Sequence, residues 1–170
     1  MRSLLFSALF LGLVSSASAV DTGNRLIPPA KESTGDGMSD TREGGESYDD
    51  AYVIPPLSPG DSWSDSGATC DNQDDVIPSC AYSLAPDVVY VVTPAANVDV
   101  TIDLCGSEFD TVLEIQDGIG VPYACNDDYC DLQSGIQGLD LLAGHTYYII
   151  VDGYGSSCGT FTLNISGSIP

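Results

Sequence analysis

The sequence predicts an all-β protein, a jelly-roll-like antiparallel β-sandwich of about nine strands. Three observations carry this. Apolar residues recur with a period of two, as in Val98, Val100, Ile102 and Leu104 alternating with Asp99, Thr101 and Asp103. Short apolar runs are separated by turn signals about every 8 to 12 residues, the spacing of a sandwich or barrel. No window sustains the 3.6-residue period of a helix.

The strands are expected, in order, at 51–54, 63–69, 88–92, 98–104, 112–116, 121–124, 136–142, 147–151 and 161–165. In the last, Phe161, Leu163 and Ile165 alternate with Thr162 and Asn164, so one face is buried and one is wet. The runs at 88–92 and 147–151 are nearly continuous in apolar residues and suit central strands.

Ahead of the β region lie two other segments. Residues 1–19 carry Arg2, an apolar run and Ala17-Ser18-Ala19, the layout of a secretory signal cleaved before Val20. The run is too short to span a bilayer, and no later segment is a candidate span, so a secreted or extracytoplasmic location is expected. Residues 20–42 are an acidic linker rich in Gly and Pro, and residues 43–170 form the β domain.

Charge is the strongest compositional signal. The 170 residues hold 25 acids and four Lys or Arg, a formal net charge of −21. Arg42 is the last Lys or Arg in the chain. Nucleic acid is excluded as a partner, because no basic footprint exists to neutralise phosphates. Salt or bound divalent cations must offset the repulsion.

Six cysteines, at 70, 80, 105, 125, 130 and 158, all lie in the β region, and in an exported chain an even count points to disulfides. Among the pairings that six allow, spacing favours Cys70 with Cys80 and Cys125 with Cys130, which leaves Cys105 with Cys158. Thiolate zinc is disfavoured, because Cys125 and Cys130 have no matching second pair.

Ordered motifs run through this region: Glu43-Gly44-Gly45-Glu46, Ser66-Gly67-Ala68-Thr69, Ala85-Pro86-Asp87-Val88-Val89-Tyr90, Leu104-Cys105-Gly106-Ser107, Phe109-Asp110-Thr111-Val112-Leu113, Ala124-Cys125-Asn126-Asp127-Asp128, and Tyr147 to Tyr154. Together they resemble the bacterial pre-peptidase C-terminal type of domain in its cysteine-containing secreted form. The resemblance implies a jelly-roll-like sandwich that accompanies exported proteins, with collagen- and calcium-binding relatives in collagenases.

Two candidate calcium sites follow from the residue types. Asn126, Asp127 and Asp128 offer the hard oxygens calcium prefers, and Asp110 is placed nearby if the fold follows the resemblance. A weaker candidate is the twelve-residue loop from Glu32 to Glu43, with oxygens on Glu32, Thr34, Asp36, Asp40 and Glu43 around Gly37. The competing account is capped turns and a plain linker. For a ligand, Tyr148 and Tyr154 are candidates for a surface platform.

An enzyme is not expected. Asp21-Thr22-Gly23 and Asp65-Ser66-Gly67 match an aspartic-protease tripeptide only superficially, and a serine triad must use His145, the single histidine. The leading expectation is a secreted binding or adhesion module, calcium-stabilised, for an extracellular polymer or protein. The alternatives are a structural or export-assisting domain without a ligand, and a small secreted hydrolase.

Overall fold

The structure is a computed structural model that describes residues 44–170. The signal segment 1–19, the linker 20–42, Asp21 and the calcium-loop residues Glu32, Asp36, Asp40 and Glu43 lie outside the described residues. Among the described residues, no helix is long and apolar enough to cross a membrane.

Among the described residues, nine strands form two sheets. They are β1 (Tyr52–Val53), β2 (Ser62–Ala68), β3 (Val88–Val92), β4 (Val98–Asp103), β5 (Thr111–Asp117), β6 (Pro122–Asn126), β7 (Gly135–Leu141), β8 (Tyr147–Gly153) and β9 (Thr160–Ser168). One sheet has the order β1-β3-β8-β5-β6 and the other β2-β9-β4-β7. Successive strands change sheet at every step except β5 to β6, which gives the jelly-roll-like winding. One pairing departs from the antiparallel expectation: β1 lies parallel to β3, with Tyr52 opposite Tyr90. The rest of the pairing between strands is antiparallel.

The core fills the space between the sheets. Val98, Val100 and Ile102 of β4 and Phe161, Leu163 and Ile165 of β9 point inward, as their alternation predicts, against Leu113 and Ile115 of β5 and Ile149 and Val151 of β8. Each such side chain contributes about 1.5–3 kcal/mol by leaving water. Tyr52, Trp63, Tyr90 and Phe161 form a chain of ring contacts across the core, and the Tyr90 hydroxyl donates to Asp65.

The denser runs of β3 and β8 have a specific cause. Val89 and Ile150 face outward from the five-stranded sheet, yet they are buried with Val76 in a second cluster flanked by Tyr48, Ala51 and Tyr148. The long connection between β2 and β3 covers this outer face. Strands covered on both sides need apolar residues on both sides.

The disulfides correct the pairing expected from spacing. They join Cys70 to Cys158, Cys80 to Cys125 and Cys105 to Cys130, and none of the cysteines is free. Register explains the first. Ala68 pairs with Thr160, and two residues further along the same ladder Cys70 meets Cys158. The second straps the covering connection to the edge strand β6, and the third ties the end of β4 to the turn ahead of β7. Disulfide mapping of the oxidised protein should return these three pairs. In the chain-entropy account, closing 88 residues is worth about 4.5 kcal/mol and closing 25 about 3.5. Urea titration of a Cys70→Ala, Cys158→Ala variant should therefore show a larger loss than the Cys105→Ala, Cys130→Ala variant.

Candidate metal centre

Asp110 stands immediately before β5, and Asp127 and Asp128 immediately after β6. These strands pair with Leu113 opposite Asn126, so the open end of the hairpin brings the three acids together. One carboxylate oxygen from each lies within 4.8 Å of the other two. Two oxygens bound to one calcium ion at about 2.4 Å are at most about 4.8 Å apart, so the cluster meets the geometric limit for a shared ion.

The loop that presents Asp127 is fixed from several sides. Ser134 is fully buried, with its Oγ 2.6 Å from the Asp127 carbonyl and 2.5 Å from the Thr111 carbonyl. The Ser134 N–H donates to Thr111 Oγ1. Cys125 and Cys130 still clamp the loop, but each does so through a bridge to a different segment instead of to one another. Asn126 has a positioning part, since its Oδ1 accepts the Gly135 N–H at 3.0 Å.

The electrostatics are unfavourable as they stand. Burial, and then the neighbouring carboxylates, hold both Asp110 and Asp127 above the usual carboxylate range. Asp127 Oδ1 is buried without a hydrogen-bond partner. A hard divalent cation would reverse both effects, because it bonds the oxygens and favours their charged form. Asp128 is exposed, which leaves the cluster open to solvent.

The remaining candidates are dispersed. Tyr148 is half-buried near the start of β8, edge-on to Tyr48 at 5.2 Å, whereas Tyr154 follows the other end of the strand. Six residue steps along the strand separate them by about 20 Å, so they form no common platform. His145 lies 3.9 Å from Asp117 at the far end of β5 from the acid cluster, and stacks against Tyr147.

Sequence reasoning passed over a second pair of acids. Asp87 and Asp152 extend the β3–β8 ladder by one register step, directly opposite one another and fully buried. Asp87 Oδ2 accepts the N–H groups of Asp75 and Val76, and Asp152 Oδ1 accepts the Ser83 hydroxyl and the Gly153 N–H. The other oxygen of each is buried without a partner. Desolvation chiefly, with repulsion from nearby acids, pushes Asp87 up to about 6 and Asp152 up to about 7. The available signal was an acid closing the apolar run Tyr147 to Val151, where a charged residue is out of place.

No family model matches the chain, and no curated protein matches it. Among solved structures it is similar to the pre-peptidase C-terminal domain of collagenase from Bacillus anthracis, at 14% identity and a TM-score of 0.42, covering 68% of this chain and 93% of that one. It is also similar to PliG of Aeromonas hydrophila, a periplasmic inhibitor of g-type lysozyme, at 16% identity and a TM-score of 0.43, covering 69% of this chain and 95% of that one. The first of these is the type of domain that the ordered sequence motifs resemble.

The buried pair sets a pH response. Both folded pKa values are raised above the unfolded 3.8, so between about pH 4 and pH 7 the folded state holds protons that the unfolded chain has released. Their contribution is full below about pH 4 and is lost as pH rises through 6 and then 7. Urea midpoints at fixed ionic strength should fall from about pH 5 to about pH 8, and Asp152→Asn should flatten the upper part of that fall. A midpoint that rises over this range would contradict the assignment.

Proposed function

We propose that the domain is a secreted, non-catalytic binding module whose loop end holds calcium through Asp110, Asp127 and Asp128, and that it engages an extracellular polymer or protein. The observation that carries the metal reading is the convergence of three carboxylates within 4.8 Å, one of them with a buried oxygen that has no donor. The donor set is all oxygen, and the cysteines are consumed in disulfides, which favours calcium over zinc. Calcium takes six to eight oxygens, so three carboxylates leave positions for water or for a ligand.

Export is supported by Arg2, the apolar run and Ala17-Ser18-Ala19, together with three disulfides that need an oxidising compartment. N-terminal sequencing of exported protein should begin at Val20. A non-catalytic role is supported by where the candidate groups lie: Asp65 on β2 is engaged by Tyr90 on β3, and His145 sits at the opposite end of β5 from the acid cluster.

Calcium that binds only the folded state stabilises it by about 2.7 kcal/mol at a hundredfold excess over Kd. Millimolar calcium should raise the melting temperature well beyond sodium chloride at matched ionic strength, and Asp127→Ala should abolish that excess. Loss of the excess in Asp36→Ala instead would move the site to the Glu32–Glu43 loop. Equal action of the two salts would leave a screened acidic surface and no metal site, favouring the structural or export-assisting role.

A further inference from the structure

The loop end that gathers the three acids also exposes a group of aromatic and aliphatic side chains. Ser83 forms a parallel bridge with Gly155. Leu84 N–H donates to Gly155 O at 2.7 Å, and Gly155 N–H donates to Tyr82 O at 2.9 Å. This register sets Tyr82 beside Tyr154 on one side of the bridge. Tyr82 is 67% exposed, Leu84 57% and Tyr154 48%. The Tyr154 N–H in turn donates to the Asp110 carbonyl at 3.0 Å, so the backbone that carries Tyr154 is paired with the backbone that carries Asp110 of the acid cluster.

Charge selects the occupant. Residues 44–170 hold 20 acids and no Lys or Arg. A second copy of this chain, or an anionic polymer, brings like charge to Asp110, Asp127 and Asp128 and is repelled. A neutral glycan can stack on tyrosine but gains nothing from the carboxylates. Arginine and lysine satisfy both parts of the surface, since their stems are apolar and their heads are attracted to tyrosine faces and to carboxylates.

We propose that this end of the sandwich is a docking surface for a basic segment of a second protein, whose Arg or Lys heads meet Asp110 and Asp128 while their stems lie over Tyr82, Leu84 and Tyr154. The proposal rests on the binding-module reading and names its partner class. It does not rest on calcium: an ion at Asp110, Asp127 and Asp128 would compete with the basic heads for the same carboxylates, so the two are tested separately.

The test is NMR titration of the isotope-labelled full secreted chain, free of calcium and at physiological salt, with an octapeptide of alternating arginine and glycine. A glutamate–glycine octapeptide and a neutral cello-oligosaccharide serve as comparison probes. Shifts confined to residues near 82–84, 110, 128 and 154, absent with the glutamate peptide and the oligosaccharide, are expected. Tyr82→Ala with Tyr154→Ala should weaken binding about tenfold with an unchanged melting temperature. Shifts spread over the whole acidic surface, undiminished binding in the double variant, or binding of the oligosaccharide in preference to the arginine peptide would each overturn it. Calcium titrated alone into the same sample reports on the metal site separately: no response there removes the calcium reading and leaves the docking surface standing.

Discussion

The structure depends on one constraint: from Gly44 onward, 20 carboxylates are folded without a single lysine or arginine to answer them. Only His145, half-exposed beside Asp117, comes near an ion pair among the described residues. The carboxylates are met instead by neutral donors, chiefly backbone N–H groups. Glu46 accepts from Gln73, Asp61 from Ser58, Glu114 from Ser79, and Asp87 from Asp75 and Val76. A hydrogen bond to a charged group contributes about 1.5–3 kcal/mol, more than a neutral one.

This use of acids explains how the connection between β2 and β3 is held. It is long, and only Val76, Pro78, Ser83 and Ala85 of its central part are deeply buried. What pins it is a row of acids on the sheet beneath: Asp87 holds residues 75 and 76, Glu114 holds 79, and Asp152 holds 83. Glu114 is further satisfied by Gln116, which also accepts from Tyr48 and Gly120. The Cys80–Cys125 bridge then fixes the same segment covalently, where apolar packing alone would be thin.

How much of this was legible follows from the range of each interaction. Alternation in β4 and β9 is a local pattern, and it located both strands and their buried faces. The doubly covered strands were legible as dense runs, but their cover was not, because it is held by polar contacts from residues 11 to 69 positions away. Disulfide pairing failed for the same reason. Short spacing made Cys70 and Cys80 look paired, whereas Cys70 follows β2 to its β9 partner, 88 residues on. Asp127 and Asp128 were visible as ligand-type residues, and a three-residue register step across β5 and β6 supplies Asp110. The Asp87–Asp152 pair was missed because it exists only through the register of β3 on β8.

The two groups of raised acids stand in different physical situations, and this decides what each can respond to. Asp87 and Asp152 are fully buried beneath the covering connection, each with one oxygen already committed to N–H or hydroxyl donors. Burial is the larger cause of their shift, and a proton is the species that removes the charge without needing a hydration shell or a wide opening. The cluster at the hairpin end is open through Asp128, and Asp127 Oδ1 there has no hydrogen-bond donor that a cation would displace. There an ion or a basic group can approach, and its charge acts on three carboxylates together. One fold thus keeps a buried acid pair that holds its cover and an acid cluster that faces outward, separated because one lies on the β3–β8 ladder and the other at the end of β5 and β6.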